Sequence, residues 1–241
     1  GEEWGITAEQ LFLPAIRESE RRETFEQLLA AAEDAGIPVS YIKCGDEIRD
    51  SQLRLLCLHP EENTTLADAN AYSECFYVEV FAKKMKQEAI DDRKANDASG
   101  ASAIGKISIL LTGDVEGEGE RQLTQKLQAL QESQSLQESQ SLQESRSLQE
   151  SRSLQESQSL QESQSLQLTR RLQEQRGQRE FRVDLLKVAH HGSGYSTGTE
   201  FLATASPATA IISCGRNNSY GHPHVETLQR LEDARVPWYG T

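Results

Sequence analysis

Three apolar segments that each end in a cluster of polar residues constrain this sequence more than any other feature. The segments are KISILLT at 106–112 before Gly113 and Asp114, RVDLLKVA at 182–189 before His190 and His191, and ATAIISC at 208–214 before a loop rich in Asn and His. Apolar runs of this length, rich in branched residues and bounded by turn formers, predict buried strands. Because α/β proteins bind ligands beyond the carboxyl ends of their strands, we expect the three clusters to meet at one edge of a sheet.

The rest of the sequence alternates between strand and helix patterns, which predicts an α/β architecture. Further strands are expected at 10–15, 39–44, 54–59, 75–81 and 236–239, and helices at 17–35, 117–130, 199–205 and 223–234. Phe25, Leu28 and Ala32 recur at helical spacing in the first helix. Gly36 is placed to end that helix, and Pro223 suits the first turn of the last one.

A tandem repeat interrupts this alternation. From Gln134 the six-residue unit [QR]SLQES recurs and decays by Thr169. Six residues turn an α-helix by about 600°, so successive Leu residues step by about 240° and form no apolar stripe. We therefore predict a solvated helix or a disordered insert over residues 128–178. It would separate the central part of one domain, residues 1–127, from its C-terminal part, residues 179–241.

The charge balance excludes binding of nucleic acid through overall charge. The chain has 38 acidic and 25 basic residues, and its formal net charge is -13. Binding to phosphate depends on Lys and Arg, so a nucleic-acid role would need a local basic patch or metal ions. No apolar run approaches the ~18–20 residues that span a bilayer, and no signal peptide is recognisable. The chain begins without Met, and we expect it to be a piece of a longer protein.

The four cysteines give no sign of a zinc or redox motif. Cys44, Cys57, Cys75 and Cys214 lie more than four residues apart, so no CxxC pair exists. Three of them lie in apolar runs, where a free cysteine usually behaves as a small buried hydrophobe. We expect that structural role for them.

Asp114 and the two adjacent histidines carry groups that bind metals. A carboxylate at a strand end can bridge two cations, although Gly-Asp pairs are also common turn formers. Imidazole suits zinc and similar metals. On an extended chain His190 and His191 would point to opposite sides, so one would enter the site while the other orients a ligand. The alternative is a pair of histidines satisfied by ordinary packing.

The third cluster, NNSYGHPH at 217–224, lies just before the last predicted helix. Asn, Tyr and His side chains near the start of a helix supply hydrogen-bond donors where the helix dipole favours an anion such as phosphate. An ordinary polar loop with a capped helix explains the same pattern.

Three long segments, taken in order, resemble the metallo-β-lactamase-fold domain of ComEC-type competence proteins, the DNA-internalisation factors. The segments are LLTGDVEGEGE from Leu110, DLLKVAHHGSGYST from Asp184 and AIISCGRNNSYGHPHVETLQRLEDA from Ala210. IPVSYIKCGDEI, LCLHP and the residues around Asn70 are similar to the central part of the same domain. The resemblance covers nearly everything except residues 83–105 and the repeat, and it implies an αββα sandwich that is incomplete here.

The resemblance also implies roles for single residues. Asp114 would be the metal-bridging carboxylate, His190 or His191 the late histidine ligand, and His222 a catalytic residue that contacts phosphate or the leaving group. Residues expected to bind or orient substrate or water are Asn70, Ser73, Ser193, Asn218 and His222. The complete family site would hold two divalent ions, zinc or manganese. The early metal motif, HxHxDH or its variant HxDxDH, is absent, and no His precedes His59.

By this resemblance, the chain is part of a metal-dependent hydrolase of the phosphodiesterase or nuclease type, associated with DNA uptake in natural competence. The implied partners are single-stranded DNA as substrate and the membrane channel portion of a longer parent protein. The implied location is the cell membrane, with this domain on the extracytoplasmic side, and the chain itself is expected to be soluble.

Asp114 and one histidine cannot fill two coordination spheres, so we expect this chain alone to bind metal weakly and to have little activity. Two other function classes remain open. One is a non-catalytic binding or scaffold module with the repeat as an interaction arm. The other is a metallo-hydrolase that acts on a different phosphoester.

Overall fold

The computed structural model describes residues 8–62, 64–66, 68–81, 106–153 and 183–241, and these form the mixed α/β structure that the sequence predicts. The strands in this part of the chain are β1 (Leu11–Pro14), β2 (Val39–Ile42), β3 (Glu47–Arg49), β4 (Leu53–His59), β5 (Cys75–Phe81), β6 (Lys106–Leu111), β7 (Leu185–Lys187), β8 (Thr209–Ile212) and β9 (Trp238–Gly240). The α-helices are α1 (Glu23–Asp34), α2 (Gly117–Ser153), α3 (Thr199–Ala205) and α4 (Val225–Asp233). Short 3-10 turns are formed by Glu18–Glu20, Asn70–Tyr72 and Ala189–Gly192.

Strands β3 to β9 form one seven-stranded sheet in sequence order, while β1 and β2 form a separate parallel pair. Neighbouring strands from β3 to β6 are antiparallel, and those from β6 to β9 are parallel. Helix α3 connects β7 to β8, and α4 connects β8 to β9. The carboxyl ends of β6, β7 and β8 therefore lie side by side, as the three apolar segments predicted.

The register between β6 and β7 is set by a side chain at the start of β7. The carboxylate of Asp184 accepts hydrogen bonds from the backbone N–H of Ser108 at 2.7 Å and from its hydroxyl at 2.8 Å. At the other end of the strands, the hydroxyl of Thr112 donates to the carbonyl of Lys187 at 2.6 Å. These bonds align the strands so that the residues following β6 and β7 come to the same level of the sheet.

The main hydrophobic core lies between the seven-stranded sheet and helices α2, α3 and α4. Its large, fully buried side chains include Leu58, Leu110, Leu123, Leu127, Leu186, Phe201, Ile212 and Leu231. Helix α2 contributes the first turns of its 37 residues to this core, and among its described side chains Leu127 is the last that is fully buried. A buried apolar side chain contributes about 1.5–3 kcal/mol, so these residues fix the base of the site firmly.

The described part of the repeat, residues 134–153, is helical. From residue 132 onward the side chains that the structure describes are exposed. The backbone of residues 134–153 is thus helical, solvation of the whole repeat stays a prediction, and the rest of the repeat and the connection at 83–105 lie outside the described residues. Helix α2 runs continuously across residues 127 and 128, and residues 178 and 179 lie outside the described part, so the domain boundaries stay predictions.

Several predicted elements differ in detail. The first predicted helix begins at Glu23 rather than at residue 17, and Leu28 is exposed, so its apolar stripe is narrower than expected. Pro223 lies two residues before α4, so the prediction that it occupies the first turn of this helix is wrong. Strand β3 was not predicted, because its three residues EIR contain a single apolar side chain and give no periodic signal.

Candidate functional site

Asp114 lies in the turn that follows β6, against the 3-10 turn Asn70–Tyr72 and Ser73. Gly113 has a φ of +53°, and a Cβ there would lie 2.9 Å from the Cβ of Ser73, so the position accepts little besides glycine. The backbone N–H of Asp114 donates to the hydroxyl oxygen of Ser73 at 3.1 Å. The backbone of the turn that carries Asp114 is therefore held to Ser73, and the side chain of Asp114 is 40% exposed.

The histidine pair lies in the turn after β7, and its backbone is not extended. His190, His191 and Gly192 have φ values of +45°, +55° and +85°. The expectation that the two rings would point to opposite sides is therefore wrong, because it assumed an extended chain. The ring centroids of His190 and His191 lie 6.4 Å apart, and Nε2 of His191 lies 3.7 Å from Oδ1 of Asp114. Both histidines thus face the edge where Asp114 lies.

The hydrogen bonds of the two rings indicate which nitrogens are protonated. Nδ1 of His190 lies 2.9 Å from a carboxylate oxygen of Glu116, and Nδ1 of His191 contacts the carbonyl oxygen of Ser213. Each acceptor requires a proton on Nδ1, which leaves the lone pair of a neutral ring on Nε2. Metal-binding histidines show this arrangement, since a carboxylate or carbonyl usually fixes the nitrogen that does not bind.

His222 completes the group of rings. Its centroid lies 5.4 Å from that of His190 and 4.8 Å from that of His224. Partial burial, followed by the neighbouring histidines, lowers the pKa of His222 and so favours its neutral form. His224 holds the surrounding loops, because its Nδ1 accepts the N–H of Gly194 at 2.8 Å and its Nε2 lies 3.0 Å from the carbonyl of Tyr220.

Asn218 and Ser193 make structural contacts where substrate contacts were expected. The amide of Asn218 donates to the carbonyls of Gly215 and His222 at 2.8 Å and 2.7 Å, and its Oδ1 accepts the N–H of His222 at 2.9 Å. Ser193 is 3% exposed, and its hydroxyl oxygen accepts the N–H of Tyr195 at 3.3 Å. Asn218 thus positions His222, and the buried hydroxyl of Ser193 stabilises the loop that carries it. Substrate binding by either residue stays a prediction.

Two residues at the site were not expected from the sequence. Glu116 joins two predicted site residues, because Nδ2 of Asn70 donates to its Oε1 at 3.3 Å while its Oε2 faces His190. The ammonium of Lys187 donates to the carbonyl of Gly113 at 2.7 Å and lies 3.7 Å from Oδ1 of Asp114. A charged residue within the apolar run DLLKVA was the available signal for Lys187. The sequence signal for Glu116 was weaker and consisted only of its position two residues after Asp114.

Burial acts against the charge of Lys187. It lowers the pKa of the Lys187 ammonium, whereas the nearby carboxylate of Asp114 acts in the opposite direction. Lys187 is a local positive charge in an acidic chain, at the level of the sheet where Asp114 and the histidines meet. The site therefore combines an anionic oxygen, an ammonium and three imidazoles.

We expect the Glu74→Gln variant to be more stable than the wild type at pH 8 and equal to it at pH 4. Burial raises the pKa of Glu74 to about 7 in the folded protein, and no described residue forms a hydrogen bond with its buried Oε1. A folded-state pKa above the unfolded one means that stability is fully present below pH ~4.3 and is lost as the pH rises through 7. Because Glu74 as a whole is only partly buried, solvent screening reduces the effect, and we expect a difference of about 1–2 kcal/mol in urea unfolding at pH 8. A difference of the same size at pH 4 would contradict this origin.

The described residues do not by themselves form a metal centre. Oxygen and nitrogen donors of suitable chemistry are present in Asp114 and in Nε2 of His190 and His191. Within the described ranges, however, no three His, Cys, Asp or Glu side chains are arranged to hold an ion. Asp114, His190 and His191 could therefore supply some of the ligands of a metal ion, but not a complete coordination sphere.

Fold and site together define an α/β protein that carries Asp114 and several histidines at the carboxyl ends of its parallel strands. The chain is 27% identical over 207 residues to ComE operon protein 3 of Bacillus subtilis, a match that covers 86% of this chain and 17% of that protein. It is 44% identical over 50 residues to Recombination protein 2 of Haemophilus influenzae, covering 21% of this chain and 6% of that protein. No family model matches the sequence.

These similarities support the relation to competence proteins that the sequence motifs indicated. The chain spans 17% and 6% of the lengths of the two relatives. The activities of the whole proteins are therefore assigned to this chain only as proposals. In the part of the chain that the structure describes, no helix has both the length and the apolar character needed to cross a bilayer.

Proposed function

We propose that this chain is the C-terminal part of a metallo-β-lactamase-fold hydrolase domain that cleaves phosphodiester bonds of DNA during DNA uptake. The convergence of Asp114, His190, His191 and His222 at one edge of the sheet is the observation that carries this proposal. A carboxylate and imidazoles are the ligands and proton carriers that metal-assisted phosphodiester hydrolysis uses. The similarity to ComE operon protein 3 supports the biological setting.

In this proposal the chain supplies part of the site, and ligands outside it complete the coordination of two divalent ions. Residues of this chain have roles that need no ion. The neutral ring of His222 can hold or transfer a proton near the leaving oxygen, and Lys187 offers positive charge to the phosphate edge. Single-stranded DNA is the proposed substrate, since the resemblance points to internalisation of one strand.

The proposal also places the chain in a longer protein that contains a membrane channel, with this domain on the extracytoplasmic side. The acidic balance of the chain, with a formal net charge of -13, argues against tight binding of DNA without metal ions. DNA binding should therefore depend on zinc or manganese, and addition of a chelator should release the strand.

We expect a protein extended at the N-terminus to hydrolyse end-labelled single-stranded DNA with zinc or manganese, and this chain alone to be at least about 100-fold slower. The reason is that Asp114 and one or two histidines leave the coordination open. Product formation on denaturing gels would measure both rates. Equal turnover by the short chain would show that its site is complete, and inactivity of both proteins with either metal would overturn the hydrolase proposal.

A further inference from the structure

Glu116 occupies a central position among the site residues although it is not itself a predicted ligand. Its side chain is 20% exposed, and its two oxygens contact different elements. Oε2 lies 2.9 Å from Nδ1 of His190, and Oε1 accepts a hydrogen bond from Nδ2 of Asn70 at 3.3 Å. One carboxylate thus connects the turn after β6, the 3-10 turn that begins at Asn70 and the histidine turn after β7.

We infer that Glu116 is a positioning residue that holds His190 in the tautomer with the proton on Nδ1. The neutral imidazole of a free histidine prefers the proton on Nε2, so the carboxylate must select the less common form. Once Nδ1–H is bound by Glu116, the lone pair of the neutral ring resides on Nε2. The tautomer follows from the geometry alone, whereas the use of Nε2 in catalysis rests on the function proposed above.

The same contact distinguishes the two adjacent histidines. His191 has a neutral carbonyl, that of Ser213, as the acceptor for its Nδ1–H. His190 has a carboxylate, which forms a stronger, charge-assisted hydrogen bond and orients the ring more firmly. The side chain of His190 is also less exposed, at 25% against 46% for His191. His190 is therefore the histidine whose Nε2 serves the reaction, and His191 has a supporting role.

Nitrogen-15 NMR of the imidazole rings in the full chain tests this assignment at pH 8, a pH above the ordinary pKa of a free histidine. The His190→Gln variant identifies the signals of His190. In the wild type we expect a protonated Nδ1 and an unprotonated Nε2. In Glu116→Ala the ring should shift to predominantly Nε2–H, and in Glu116→Gln to a mixture, because an amide can both donate and accept.

Glu118→Gln is the matched control, since Glu118 lies two residues after Glu116, in the first turn of α2, and pairs with Arg121. It should leave the His190 signals unchanged. A wild-type His190 with the proton on Nε2, or an unchanged tautomer in Glu116→Ala, would overturn the inference. Because Glu116→Gln preserves size and shape, it tests the charge even if Glu116→Ala folds poorly.

Activity provides a second, separate readout. In the N-terminally extended protein, Glu116→Gln should lower kcat about 10- to 100-fold and leave KM nearly unchanged, as expected for a residue that orients a reacting group. Loss of kcat without the tautomer change would contradict the positioning role. The tautomer change in a protein without hydrolase activity would leave the positioning role standing and refute the proposed function instead.

Discussion

The Asp114→Asn variant of the N-terminally extended protein is expected to lose hydrolysis of single-stranded DNA by about 1,000-fold or more, by analogy with the loss of a group central to catalysis. An amide oxygen can neither bridge two cations nor neutralise them as a carboxylate does. The substitution also removes the ion pair with Lys187, but it should leave the backbone of the turn unchanged. The hydrogen bond that holds this turn to Ser73 uses the backbone N–H of Asp114, and it survives in the variant.

The fold should therefore persist, which thermal unfolding of both proteins would check. Asp233→Asn is a suitable control, because Asp233 lies at the exposed end of α4, where its carboxylate accepts a hydrogen bond from the side chain of Gln229 at 2.9 Å. It should keep the wild-type rate. If Asp114→Asn also kept that rate, Asp114 would be a turn former, and the scaffold alternative with the repeat as its interaction arm would gain support.

Loss of DNA uptake in cells carrying Asp114→Asn would separate the two classes further. A scaffold whose function depends on its surface would tolerate an isosteric change at a partly exposed carboxylate. An enzyme would not, because the charge of that carboxylate takes part in the reaction.

The architecture could be predicted because the strongest signals in the sequence are local. The run KISILLT reads as a buried strand from apolar composition alone, and the structure has β6 at Lys106–Leu111. Patterns of this kind report whether a segment is buried, and burial is decided mainly by the segment itself. The gathering of Asp114, His190 and His222 followed from the general rule that parallel strands end at one edge.

What the sequence could not supply depends on contacts between distant residues. The pairing of Glu116 with His190 joins positions 74 residues apart, and no local pattern specifies it. The direction of the two histidine rings was mispredicted because the chain leaves β7 in a left-handed turn at His190 and His191. That conformation is unfavourable for residues other than glycine, and only the surrounding packing stabilises it.

Gly192 lies at the centre of this packing. With a φ of +85°, it allows the histidine turn to close against the loop that carries His222 and Pro223. A Cβ at position 192 would lie 2.6 Å from the Cβ of Pro223 and 3.4 Å from Cγ2 of Ile212. The first distance is far shorter than a normal contact between carbons, and the rigid proline ring cannot rotate away as a flexible side chain could.

We therefore expect Gly192→Ala to destabilise the chain by about 2–5 kcal/mol, from about 1–2 kcal/mol for the left-handed backbone and about 1–3 kcal/mol for overpacking. Gly36→Ala is the matched control, since Gly36 has a φ of +66° but nothing within 4 Å of the added Cβ. It should show only the backbone part of the effect. Urea unfolding of the two variants and the wild type would give the difference directly. If both variants lost the same stability, the contact with Pro223 would not constrain the site, and the close approach of His190 to His222 would need another cause.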